Sequence, residues 1–266
     1  VQRHTNIFQI NDFHIDYEII GDGRPLILIH GFGLDKRMWD DQLIICYNNF
    51  QIIRYDARGF GQSSNPSMPY AHTDDLKMLL DHLKITQANV VGLSMGGRIA
   101  LDFAIRYPDR IRSLVIADAV PSGFPRTNER ASLSQTLLDT AKKLGISEAR
   151  KLWLEHSLFQ NARKSNVFMD KLREIVEGYS GWHWLNDDPL LETVNGFKEA
   201  DKVKKHVLLL VGEHDLYDYK SAAKFMKESI TNSTSVTISG AGHMSNMENP
   251  EQFNEVLLNF LNSQNR

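Results

Sequence analysis

The 266-residue chain carries a formal net charge of −3, with 42% hydrophobic and 24% charged residues. That balance suits a globular chain long enough for a full core, and it argues against nucleic acid or an anionic membrane as partner. No apolar run reaches the roughly 18 residues of a membrane helix. Val1 to Thr5 lacks the apolar centre of a signal peptide, and the single Cys46 excludes an internal disulfide, so a cytoplasmic chain is expected.

Two β-like runs, Ile7–Ile10 and Phe13–Ile19, flank the turn-forming pair Asn11-Asp12, which predicts an N-terminal hairpin. Alternation in the second run predicts one face open to water. Pro25–Ile29 is apolar on both faces, as in a buried parallel strand, and ends in His30-Gly31-Phe32-Gly33. Glycines there let the backbone turn and bring an amide, that of Phe32, close to a bound group, while His30 reads as a hydrogen-bonding support beneath the loop. Trp39 is expected to pack a short helix onto the sheet, and Cys46, in an apolar run, to lie in the core. A strand at Gln51–Tyr55 leads into Asp56-Ala57-Arg58-Gly59-Phe60-Gly61-Gln62-Ser63-Ser64, a tight turn in which Asp56 and Arg58 read as structural. From about His72 a helix follows, with Asp74 and Asp75 in its first turn and Leu76, Leu79, Leu80 and Leu83 on its core face.

Ala88–Leu93 is the next strand, and it runs through Gly92-Leu93-Ser94-Met95-Gly96-Gly97 into a helix. A serine between glycines at a strand-to-helix corner sits in strained backbone, with its Oγ presented at the carboxyl edge of the sheet. The Met95 amide, at a helix N-terminus, faces negative charge forming near that oxygen. Ile111–Ala117 gives another buried strand, so strands and helices alternate from about residue 25 to 117, as a parallel sheet covered on both faces requires. The rhythm then changes: helical stretches at Arg130–Leu144, Ser147–Leu158 and Asn166–Glu177 precede the aromatic run Tyr179 to Trp184. This reads as an inserted helical cap, with Tyr179, Trp182 and Trp184 either roofing a pocket or forming the insertion's own core. The sheet resumes with Val207–Val211, then Gly212-Glu213-His214-Asp215, a helix near Lys220–Ser229, a last strand Ser235–Ile238 and Gly242-His243. An amphipathic helix over Pro250–Leu261 closes the chain. The expected fold is α/β: a mostly parallel central sheet of about eight strands flanked by helices. Residues 1–120 and 198–266 form its core domain and 121–197 the cap.

Serine alone is a poor nucleophile at neutral pH and needs a base and a group that orients the base. Among the histidines, His243 alone is flanked by small residues just beyond a late strand, and Asp215 also follows a strand end. Asp118 and Asp218 are the rival acids, with Asp215 favoured. The order Ser94, Asp215, His243 is the one associated with such a corner on this kind of sheet.

The quoted motifs together resemble the α/β-hydrolase fold with a helical cap, over about residues 7 to 263. The resemblance implies Ser94 as nucleophile, His243 as base, Asp215 as its orienting acid, and the amides of Phe32 and Met95 as oxyanion hole. Tyr55 to Gly59 and Leu93 to Gly97 are similar to the enol-lactonase and small-ester hydrolase branch, whereas His30 to Gly33 is a general esterase loop. Arg98 stands where menaquinone-pathway lyases of the fold also carry arginine, and reads here as structural or as helix surface. Serine at position 94 favours acyl chemistry, which calls for neither cofactor nor metal because the oxyanion hole stabilises the charge. The expected activity is hydrolysis of a small carboxylic ester or lactone. Two alternatives are carbon–carbon bond cleavage on the same groups, with Arg126, Arg130 and Arg163 as holders of a substrate carboxylate, and a non-catalytic small-ligand receptor.

Overall fold

The computed structural model describes residues 4–125 and 128–264, with backbone alone at 4, 128–132 and 134. Strands β1 (His4–Ile10) and β2 (Phe13–Ile20) form the expected hairpin, closed through Asn11 in the left-handed region. Then come β3 (Arg24–Ile29), α1 (Asp40–Cys46), β4 (Phe50–Tyr55), α2 (His72–His82), β5 (Ala88–Leu93), α3 (Met95–Arg106) and β6 (Ile111–Ala117). Helices α4 (Asn128–Leu144), α5 (Ile146–Glu155), α6 (Asn166–Glu177), α7 (Trp182–Leu185) and α8 (Gly196–Glu199) lead to β7 (His206–Gly212). The chain ends with α9 (Tyr217–Ser229), β8 (Ser233–Ile238), α10 (Ser245–Glu248) and α11 (Pro250–Ser263).

The strands make one eight-stranded sheet in the order β1-β2-β4-β3-β5-β6-β7-β8. β1 and β2 pair antiparallel with their neighbours, and β3 to β8 all run parallel. Strand β5 is buried along its whole length because helices cover both faces, so Val90 and Val91 need no polar side. Trp39 is fully buried in a short 3₁₀ turn ahead of α1, and Cys46 lies in the core, where burial pushes its thiol up to about 12. Among the described residues, no helix is long and apolar enough to cross a membrane.

The open face expected of β2 is absent. Asp16 and Glu18 are buried because charged partners from elsewhere in the chain reach them. Lys36 binds Asp16 and, at 2.8 Å, Asp56, while Arg54 holds Glu18 at 2.7 Å and Asp40 at 2.6 Å. Buried charges persist only when paired and hydrogen-bonded, so this network fastens the 36–40 turn to the sheet.

Candidate active site

Six parallel strands bring their carboxyl ends to one edge, the place where ligands bind such sheets. Ser94, the residue after β5, adopts φ 56° and ψ −113°, a strained conformation for a residue with a side chain. Two glycines allow the corner. A Cβ at Gly92 would lie 2.0 Å from the Gly96 carbonyl oxygen, and one at Gly96 would lie 2.1 Å from that of Ile29. Helix α3 thereby starts directly against the end of β3. A Cβ at Gly31 would stand 3.6 Å from Ser94 Cβ, which places the loop after β3 beside the serine. Met95 opens α3, so no intrahelical carbonyl reaches its amide. Among the described residues, neither the Met95 nor the Phe32 amide donates a backbone or side-chain hydrogen bond.

His243 follows β8 by five residues and is almost wholly buried. Its Nδ1 lies 3.1 Å from each carboxylate oxygen of Asp215, and its Nε2 lies 2.9 Å from Ser94 Oγ. With the Nδ1 proton donated to the carboxylate, Nε2 accepts from the serine hydroxyl. Asp215 is also tied locally, since the Leu216 amide donates to it at 2.7 Å.

Both ring nitrogens of His243 are thus occupied by Ser94 and Asp215. Asp118 sits at the end of β6 with φ 46°, where it accepts the Gly212 amide at 2.7 Å and the Ser245 hydroxyl. Burial first, and the Asp215 charge second, hold the Asp118 carboxyl well above the usual carboxylate range. It is a buried brace that ties the ends of β6 and β7 to the start of α10. Asp218 lies on α9 in the wall of the cavity.

The surrounding loops are fixed by polar contacts. His30 donates from Nδ1 to the Gly31 carbonyl at 2.8 Å and accepts the Ala57 amide at Nε2, 2.9 Å away. Burial lowers its pKa, so it is a neutral strut. Asp56 accepts the amides of Lys36 and Gln62, and Arg58 pairs with Asp75 in the core with Phe13 and Tyr70 beside its guanidinium. Glu248, which no sequence signal marks, accepts the amides of Gly242 and Met244 on either side of His243 and the side-chain amide of Asn161.

Ser94 and His243 open into a cavity of about 610 Å³, walled from above by the helical segment. Trp184 lines it. Tyr179 and Trp182 do not. The Tyr179 ring is buried behind the wall, stacked on Phe60, and Trp182 lies on the partly exposed side of α7. The residue between the two tryptophans, His183, faces the cavity instead. Burial pushes its pKa down to about 4. Arg98 reaches the wall while paired with Glu192 at 3.0 Å and Asp102 at 3.7 Å. Burial raises Asp102 to about 6. Of the candidate carboxylate holders, Arg126 lies outside the described residues and only the backbone of Arg130 is described. Arg163 turns away, donating to the carbonyls of Leu154 and His156 at 2.9 Å.

A model of the alpha/beta hydrolase fold matches residues 24–250. The chain belongs to that family. A 3-oxoadipate enol-lactonase of Acinetobacter baylyi is 27% identical to this hydrolase, covering 92% of each chain. A bromoperoxidase structure from Bacillus anthracis superposes with a TM-score of 0.83 at 28% identity, covering 97% of this chain and 100% of the other. A thermophilic esterase from Thermogutta terrifontis, with malate bound, gives a TM-score of 0.80 at 26% identity over the whole of both chains. Their reactions differ while their fold is shared, so the substrate has to be argued from the site.

Proposed function

We propose that the chain hydrolyses a small carboxylic ester or lactone through an acyl-enzyme on Ser94. The observation that carries this reading is the placement of His243, 2.9 Å from the Ser94 hydroxyl and 3.1 Å from both oxygens of a buried aspartate. In this reading His243 Nε2 takes the serine proton as Oγ attacks the carbonyl carbon, and Asp215 stabilises the imidazolium that forms. The amides of Phe32 and Met95 are aimed where the carbonyl oxygen becomes an oxyanion. His243 then protonates the leaving alcohol oxygen, and the C–O bond breaks. Water, deprotonated by the same nitrogen, attacks the acyl-enzyme and releases the acid and the free serine.

The helical segment acts as the cap that shapes the pocket, and its mostly apolar wall suits a small uncharged substrate. Little supports cleavage of a carbon–carbon bond in an acidic substrate, because Arg163 is spent on carbonyls and Arg98 is already paired. The test is steady-state hydrolysis of p-nitrophenyl acetate, butyrate and octanoate by wild type and Ser94→Ala. Turnover that falls with chain length and disappears in the variant supports a small-pocket esterase. Tight binding without Ser94-dependent turnover overturns the reading in favour of a receptor.

A further inference from the structure

Among the polar side chains in the cavity wall that this chemistry leaves unused are His183 and Asp188. The tautomer of His183 follows from its surroundings. Its own backbone N–H donates to the Tyr179 hydroxyl at 3.2 Å, and that hydroxyl lies 2.9 Å from His183 Nδ1. Among the described residues, Nδ1 is the acceptor that the buried phenol proton meets. Nδ1 therefore carries no hydrogen, and in the neutral ring the proton resides on Nε2. The ring is held tightly: it stacks on Phe60 with centroids 4.3 Å apart and meets the edge of Phe32 at 5.6 Å. Gly59, at φ +85°, gives it room, since a Cβ there would fall 2.4 Å from the imidazole carbon.

Nε2 of this fixed ring faces Asp188 Oδ2 at 3.8 Å. That is too long for a direct hydrogen bond, yet one oxygen atom seated beside the gap, off the line joining them, can lie about 2.8 Å from both. The His183 side chain is only 6% exposed and lies in the wall of the cavity, so its N–H is set to meet a molecule bound there. Asp188 Oδ2 receives the Tyr70 hydroxyl at a long 3.4 Å and the carboxylate also takes the Leu190 amide, two bonds on a group with about four lone-pair sites. A donor and an acceptor at this spacing complement a hydroxyl, the group that accepts and donates at a single atom.

We propose that His183 and Asp188 form a hydrogen-bonding notch for a substrate hydroxyl, so that the preferred substrates are hydroxylated esters or lactones rather than plain alkyl esters. The proposal rests on the ester-hydrolase reading above and names its substrate class. His183 donates from Nε2 to the substrate oxygen, whose proton goes to Asp188, and the contact with Phe32 puts the notch beside the expected oxyanion loop. An analogue lacking the hydroxyl leaves the buried His183 N–H unpaired, which makes such a site discriminating, while the more exposed Asp188 supplies the acceptor.

The test measures kcat/KM for matched pairs: p-nitrophenyl 2-hydroxybutyrate and 3-hydroxybutyrate against butyrate, and 2-hydroxyethyl butyrate against propyl butyrate. The readout is the hydroxylated-to-plain ratio within each protein, which cancels general damage. Wild type is expected to favour at least one hydroxylated member by about tenfold to hundredfold. His183→Phe keeps the stack on Phe60 but lacks the N–H, and Asp188→Ala removes the acceptor; either is expected to bring that ratio below about threefold. If one variant does not fold, the other decides. A wild-type ratio near one for every pair overturns the notch while leaving the esterase reading intact. A preference that survives both substitutions overturns the assignment to these residues. No Ser94-dependent turnover on any member overturns both readings together.

Discussion

Ser94, Phe32, Asp215 and His243 each stand within five residues of a strand's carboxyl end, whereas Leu137, Trp153, Phe159 and Trp184 reach the same cavity from separate helical turns. On the sheet edge, backbone decides position: parallel pairing aligns the strand ends, and glycines such as Gly92 and Gly96 bring them together. On the helical side, side-chain packing decides. A group of interlocked rings, Phe32, Phe60, Tyr179 and His183, sets which of them faces the cavity. The edge therefore specifies a reaction, and the wall specifies what enters it.

The largest expected effect tests the edge. Ser94→Ala should lower kcat on p-nitrophenyl acetate by about 10⁴-fold or more with an unchanged circular dichroism spectrum, as removal of a serine nucleophile does elsewhere. A residual rate within tenfold of wild type breaks the picture of a backbone-placed nucleophile. Next comes the orienting acid. Asp215→Asn should cost about 10⁴-fold in kcat through loss of the correct tautomer and of imidazolium stabilisation. Asp118→Asn should cost less than about tenfold, because Ser94 and Asp215 already take both ring nitrogens of His243 and Asp118 braces backbone. Equal losses at the two positions would erase the distinction between the acid and its brace.

The wall is sharpened by stability and not by rate. His183 has a folded pKa of about 4 against roughly 6.5 in an unfolded chain. As pH falls from about 6.5 to about 4, the unfolded state takes up the proton first, so the folded state loses stability across that window and levels off below it. The loss is on the order of 3 kcal/mol. Urea unfolding of wild type and His183→Phe between pH 7 and 4 should show a flatter pH dependence in the variant. Identical slopes would mean that the ring is not buried as neutral imidazole. Smallest is the seam between the two regions. Gly59→Ala forces a Cβ into a left-handed residue and against the His183 ring, and should cost about 2 kcal/mol in urea unfolding at neutral pH.

The edge was legible because its signals are local. Glycine spacing marks the Ser94 corner, and continuous apolar runs mark the strands before Ser94 and Asp215. The wall was not, because its pattern lies in contacts between residues far apart in sequence. Helix α7 is a single turn, too short for any periodicity to show whether Trp182, His183 or Trp184 faces inward. Tyr179 is buried by Phe60, more than a hundred positions earlier. The same limit explains β2, whose charged residues pair with Lys36 and Arg54 in other elements. Boundaries shifted for simpler reasons: β8 begins at Ser233 and α9 at Tyr217, where polar residues mask the starts.

Glu248 has a role that spans this division. It grips the amides on both sides of His243, and it is itself gripped by Asn161, which belongs to the helical segment and also donates to the Gly240 carbonyl. Roof and base therefore share one fastening. An excursion that lifts the helices from the strand ends at that point takes Asn161 off Glu248 and off the Gly240 carbonyl, whereas the two amides that Glu248 holds beside His243 lie within residues 242–248 and stay with the sheet.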